Sequence, residues 1–180
     1  MSLIKSYIHQ TMRVQFFVLF IISFFIITLA MFIYKDSFSS IPFYNFYQKN
    51  LRGYLFSGFI SVGSFLLSLH TFVIVNLKDK LFSTNEYKEI FIRSNRIDKI
   101  ENIDERELFK PLDRLSYFLN YSIWLAIITA ISQFTIGLAD NLIASITCIW
   151  LAVLTICFML NSLIIIRENI KLMLRQTSEK

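Results

Sequence analysis

Four long apolar runs, separated by shorter polar stretches, set the pattern of this chain. Residues 14–34, VQFFVLFIISFFIITLAMFIY, pass 21 positions without a charged side chain. As a helix rising 1.5 Å per residue, such a run is about 31 Å long, the thickness of a bilayer's hydrocarbon core. Residues 53–77, 115–138 and 142–166 are runs of the same kind, and none holds an Asp, Glu, Lys or Arg. The pattern predicts an all-α, polytopic integral membrane protein, a four-transmembrane-helix bundle. Lys5 and Arg13 ahead of the first run resemble the start of a signal peptide. The run is longer than the 7–15 residues of a cleaved apolar region and no clear small-residue cleavage site follows it, so a retained span is expected.

The stretches between the runs fix the topology. Residues 1–13 form a head. Residues 35–52 mix Phe38, Ile41, Phe43, Tyr44, Phe46 and Tyr47 with Ser, Asn and Lys. Aromatic rings among polar neighbours suit the headgroup zone, so this linker is expected either along the outer interface or as a loop whose aromatics cap the bundle, with Pro42 breaking any helix there. Residues 139–141, with Asp140 and Asn141, make a turn so tight that the last two spans must be antiparallel neighbours. The 78–114 loop carries a capping-box spacing, Ser83-Thr84-Asn85-Glu86, which places Tyr87, Ile90, Phe91 and Ser94 on one helical face. A second helix start at Asp104 and Pro111 in the first turn of the next span complete an expected short helical hairpin. Its 37 residues are too few for an enzyme domain of its own. Residues 167–180 form a tail.

Charge orients this arrangement. Head, loop and tail hold two, nine and four Lys/Arg, 15 together, against three (Lys35, Lys49, Arg52) on the opposite side. The positive-inside rule counts Lys and Arg and therefore puts both termini and the loop in the cytoplasm. The net charge of +5 is not a nucleic-acid footprint, because the nine basic residues of the loop are matched by nine acidic ones. No nucleic-acid partner is expected.

Chemistry is sparse. Charged residues make up 17% of the chain and avoid the spans, which removes the intramembrane carboxylates and cations that proton-coupled transporters and voltage sensors use. Cys148 and Cys157 lie nine residues apart in one run, on opposite faces of a helix, so they cannot bridge each other there. With His9 and His70 as the chain's two histidines, no metal-ligand spacing exists. Phosphate-cradling glycine loops and nucleophile or zinc motifs are also missing. The expectation is a protein that is not an enzyme, with no cofactor and no metal.

Two constellations remain. In the second span Ser57, Ser61, Ser64, Ser68 and Thr71 recur at steps of 4, 3, 4 and 3, one helical stripe of small hydroxylated side chains. Such a stripe reads either as a helix-packing seam or as the wall of a narrow pore. Gly58 and Gly63 fall outside it. A weaker echo runs along the fourth span through Ser145, Cys148, Ala152, Thr155, Met159 and Ser162. The other constellation is one of depth. His70, Asn120 and Asn161 lie eight, six and six residues from the nearest loop or tail cation, about 9–12 Å inside the cytoplasmic boundary. Polar groups in hydrocarbon need partners, so the three are expected to form a hydrogen-bonded layer, with His70 the member able to exchange a proton. The Phe-rich first span reads as largely lipid-facing.

These residues point to a small, homo-oligomeric, channel-like protein of the inner membrane, bacterial in its composition and gated through the cytoplasmic loop. One subunit of four helices encloses little volume, so a conduit would form between copies. The alternative is a non-conducting sensor or anchor that holds a soluble cytoplasmic partner through residues 78–114, as in a bacterial defence or toxin-like system. Topology is directly measurable. Reporter fusions at Ser94 and after Lys180 should read as cytoplasmic and one at Asn45 as external, and a cytoplasmic signal at Asn45 would reverse the arrangement.

Overall fold

The structure is a computed structural model, and it describes residues 10–37, 42–79, 83–85, 87–89, 92 and 108–178. Among them there is no strand. The elements are α1 (Met12–Ser37), α2 (Phe43–Asn50), α3 (Arg52–Leu77), α4 (Lys110–Phe134), a 3-10 turn (Ile136–Leu138) and α5 (Leu142–Ser178). Four of these helices are long and apolar enough to cross a membrane.

Local signals account for the helix ends. Pro42 sits at the N-cap of α2, where its missing N–H costs nothing. Pro111 occupies the first turn of α4, together with Asp113, whose negative charge suits a helix start. The 3-10 turn closes α4, and the Asn141 side chain then caps α5 by accepting the Ile143 N–H at 3.0 Å. Thr84, rather than Ser83, supplies the cap in the loop: its hydroxyl oxygen accepts the Tyr87 N–H at 3.3 Å. The hydroxyl cap therefore falls one residue later than the spacing suggested and has Tyr87 rather than a Glu three residues on, because the chain still turns at Ser83, whose N–H bonds the Lys78 carbonyl. Glu86, Ile90, Phe91, Ser94 and the helix start at Asp104 lie outside the described residues, as do Phe38 and Ile41.

Packing runs through adjacent pairs: α1 against α5, α5 against α4 and α4 against α3. His70 beside Ser116, and Arg114 bonded to the Gln10 carbonyl, bring the start of α1, the end of α3 and the start of α4 to one end of the molecule. We call it the loop side. Tyr47, Gly137 and Asn141 mark the other, the turn side. The main apolar core lies towards the loop side, where Leu19, Leu112, Leu115, Phe118, Leu119, Leu154, Phe158 and Ile165 are buried together, with Leu77 from α3 at its edge and Tyr87 of the loop packed against it. A smaller cluster joins Phe59 of α3 to Ala126 and Ala130 of α4 and Ala152 of α5.

Exposure differs among the helices. On α1 the buried positions are Gln15, Leu19, Ser23 and Ile27, while Phe17, Phe24, Phe25 and Phe32 stand more than 60% exposed. Phe16 is the exception among its phenylalanines, stacking on Phe118 and meeting Tyr121 and Phe158 edge-on. α5 continues as one helix past residue 166 to Ser178. Its 37 residues span about 55 Å, so the basic tail begins as an extension of the fourth apolar run, and the Lys171–Glu168 ion pair lies on it.

Candidate functional site

The chain has two long runs of hydroxyls at helical spacing, and they end up in opposite places. On α3, Phe59, Gly63, Leu66 and Leu77 are buried. They lie roughly 150° around the helix from the Ser57–Thr71 stripe. All five residues of the stripe are exposed. Each donates its proton to its own helix: Ser57 to the Gly53 carbonyl at 3.1 Å, Ser61 to Ser57 at 3.0 Å, Ser64 to Ile60 at 3.1 Å, Ser68 to Ser64 at 3.4 Å and Thr71 to Leu67 at 3.3 Å. The stripe is thus not the seam that joins α3 to its neighbours within the subunit. That seam runs along Gly63, where an added Cβ would meet Ala126 and Ile127 at ordinary contact distance, and along the apolar side chains on either side of it.

The buried run lies between α4 and α5. Ser122 and Ser162 hydroxyls meet at 3.1 Å, and Thr129 and Thr155 at 2.8 Å. Seven residues along α4 match seven back along α5, the repeat that keeps two antiparallel helices facing each other through a shallow supercoil. The Leu151 carbonyl takes the Thr155 proton at 2.8 Å, which leaves the Thr155 oxygen to accept from Thr129. What looked like an echo on the fourth span, Ser145, Cys148, Ala152, Thr155 and Ser162, is this buried face. Its counterpart on the third span, Ser122, Ala126, Thr129 and Gln133, repeats at 4, 3 and 4. Sequence reading passed it over because Ala and Gln interrupt the hydroxyls.

At the turn side the seam ends in a closed network. Tyr47 is fully buried, although its neighbours along the linker suggested an interfacial aromatic. It reaches in from α2 and donates to Gln133 Oε1 at 2.6 Å. Gln133 Nε2 is offered in turn to the carbonyls of Thr129 at 3.2 Å and Cys148 at 3.3 Å. Gln48 donates to the Gly137 carbonyl. Gly137 leaves room for this arrangement: a Cβ there would run into the Tyr47 hydroxyl, with Cys148 Sγ and the Ser132 carbonyl already at contact distance. Burial pushes the Tyr47 phenol above its ordinary 10.0, which keeps it a donor. Since the folded value is the raised one, its stabilising effect is complete below pH 10 and is lost as pH climbs beyond that. α1 joins through Ser23, which accepts the Trp150 indole N–H at 3.2 Å.

The three residues of the expected polar layer separate. His70 Nε2 lies 3.0 Å from Ser116 Oγ on α4, so its partner is a hydroxyl two turns into that helix. Asn120 is exposed. Asn161 is buried on α5, and neither atom of its amide has a hydrogen-bond partner among the described residues. Helix depth alone placed the three together. The three make no hydrogen bond with one another among the described residues. Cys148 and Cys157 are both buried free thiols.

Compared with protein families, curated proteins and solved structures, the chain finds no match.

The Tyr47 network is testable through stability. Tyr47→Phe removes the donor and leaves Gln133 Oε1 buried without it, a loss of about 1–3 kcal/mol. Thermal unfolding followed by circular dichroism in detergent should show a clearly lowered midpoint for Tyr47→Phe and none for Ser64→Ala. Equal midpoints for Tyr47→Phe and the parent would contradict the network.

Proposed function

We propose that this chain is one subunit of a small homo-oligomeric, channel-like protein of the inner membrane. Both termini and the 78–114 loop lie in the cytoplasm, and the α3 stripes of neighbouring copies line the conduit. The apolar exterior supports insertion. Rings such as Phe17, Phe25, Phe32, Phe65 and Phe72 stand well exposed, a surface that lipid tolerates and water does not. The 15-to-3 cation asymmetry supports the orientation.

The observation that carries the channel reading is the position of Ser57, Ser61, Ser64, Ser68 and Thr71. They form the polar face of an otherwise apolar helix, and that face is left uncovered by the rest of the subunit. The opposite face is committed to α4. Copies that met through the stripe would place a column of hydroxyl oxygens against one another or around water. An uncharged lining of this kind discriminates weakly between ions. Gating through the loop is supported by its attachment points: Leu108 is buried and Tyr87 packs against the core next to the end of α3. His70, bonded to Ser116, ties α3 to α4 at the same end, so a shift of α3 would have to break that bond. No catalytic role, cofactor or metal belongs to this reading.

One observation favours a second reading. Every hydroxyl of the stripe already has a backbone acceptor within its own helix and needs no water. The stripe then serves as a dry contact between copies of a non-conducting anchor, which holds a soluble cytoplasmic partner through residues 78–114.

Substitutions in the stripe separate the two. Ser61→Leu and Ser64→Leu fall on an exposed face and should leave the subunit folded while weakening assembly, since close approach in lipid needs small residues. Ser61→Ala and Ser64→Ala keep the size, and such hydrogen bonds are worth roughly 0.6 kcal/mol in a membrane, so assembly should persist. In a conduit the alanine variants should lower ion flux through dewetting. The readout is oligomer recovery in detergent together with flux in liposomes. An assembled parent that passes no ions leaves the anchor reading. Unchanged assembly with leucine removes the stripe from both.

A further inference from the structure

At the loop side α1 and α4 leave between them an open groove of about 580 Å³, walled by Phe16, Phe17, Phe20, Tyr117 and Tyr121, with Arg13 at its mouth. The walls are built rather than incidental. Phe16 is held edge-on to Tyr121 at 4.9 Å and to Tyr117 at 6.2 Å, and the two tyrosine rings lie 5.1 Å apart. From Arg13 to Phe20 the groove runs about 10 Å along α1, from the end of the apolar run towards its middle. Arg13 is exposed, and among the described residues no carboxylate lies within ion-pair reach of it. It also stands in the first turn of α1, which holds no acidic residue. A cation there is opposed by the helix dipole. The topology calls for a cation at this end of the span, and the helix itself gives that guanidinium no anionic partner. Its neighbour in space, Arg114, is by contrast engaged with the Gln10 carbonyl.

We propose that this groove is a specific site for one anionic phospholipid, the phosphate paired with Arg13 and one acyl chain lying along Phe16, Phe17, Phe20 and Tyr121. The two chemistries are those the site presents. A guanidinium pairs with phosphate oxygens through two parallel N–H donors. Below it, an apolar aromatic trough opens sideways, where a chain can enter from the bilayer. Tyrosine rings suit the level between headgroup and chain, apolar in the ring and polar at the tip. A soluble anion would satisfy Arg13 but leave the trough empty, and a neutral lipid tail would fill the trough but leave Arg13 without an anion. With the loop side cytoplasmic, the site faces the leaflet that carries a negative surface potential. It serves a channel and an anchor equally, because it lies on α1 and α4 and away from the α3 stripe.

The test uses the full chain purified in detergent and native mass spectrometry with added dioleoylphosphatidylglycerol or dioleoylphosphatidylcholine. One phosphatidylglycerol should be retained in preference to phosphatidylcholine. Arg13→Gln should weaken its retention about fivefold, the effect of one cation at a lipid surface, and weaken phosphatidylcholine less, because the choline cation already offsets that lipid's phosphate. Arg13→Lys should keep most of the preference. Phe17→Ala removes a wall residue that is 68% exposed and so spares the fold. It should weaken both lipids, and unchanged helicity and monodispersity would verify that the variants are folded. Inorganic phosphate in millimolar excess should not displace the lipid. Equal retention of the two lipids, or no effect of Arg13→Gln in a folded protein, would overturn the proposal. Displacement by phosphate alone would overturn the acyl-chain part and leave a simple anion site.

Discussion

A hydroxyl in a water-poor environment has to place its proton somewhere, and the serines and threonines whose side chains are described in these helices are arranged around that need. Two solutions are available. The proton can go back to the carbonyl four residues earlier, which leaves the side chain indifferent to its surroundings. It can also go across to another helix, which joins the two. The α3 stripe takes the first route at all five positions. The α4–α5 seam adds the second, through Ser122–Ser162 and Thr129–Thr155. Chemically similar runs of small polar residues therefore become, in one place, the internal joint of the chain and, in the other, a face that its own helices leave uncovered.

The joint is more than its hydroxyl pairs. Small side chains let α4 and α5 approach closely, and the gain in a lipid-like medium comes from that packing, with each hydrogen bond adding a fraction of a kcal/mol. The turn side adds a stronger constraint. Gln133 offers its Nε2 to the Thr129 and Cys148 carbonyls and to Ser132 Oγ, and Tyr47, brought by an eight-residue helix from the linker, donates to its Oε1 and closes the set. Gly137 makes room for it. The linker between the first two long helices is thereby fastened to the last two, and it positions the start of α3. Towards the loop side the joint gives way to an apolar core of Leu and Phe side chains, which leaves the Asn161 amide buried without a partner among the described residues.

Much of the fold was legible in the sequence. The four apolar runs gave four helices, Pro111 marked the start of α4, and the Asp140-Asn141 turn joined α4 to α5. Faces were harder to read. Hydroxyl periodicity located the α3 stripe and the α5 side of the buried run but not its α4 side, and it carries no sign that tells an inward stripe from an outward one. The more regular stripe drew attention, and it lies outside. The seam was harder to see because it alternates hydroxyls with Ala, Cys and Gln, all of which a close joint can use. Tyr47 was hidden for a related reason. Among four other aromatics in a short linker, nothing local distinguishes the one ring that finds an acceptor on another helix. His70 found a partner on α4 as the cost of burying an imidazole demands, but the partner was Ser116.

The central claim is that the α3 stripe faces away from its own subunit and towards another copy. Cysteine cross-linking in native membranes tests it most directly, in a background carrying Cys148→Ala and Cys157→Ala. Mild oxidation should give disulfide-linked dimers from Ser61→Cys and Ser64→Cys. It should give none from Leu66→Cys, which lies on the face buried against α4. Dimers from position 66, with none from 61 or 64, would contradict the account.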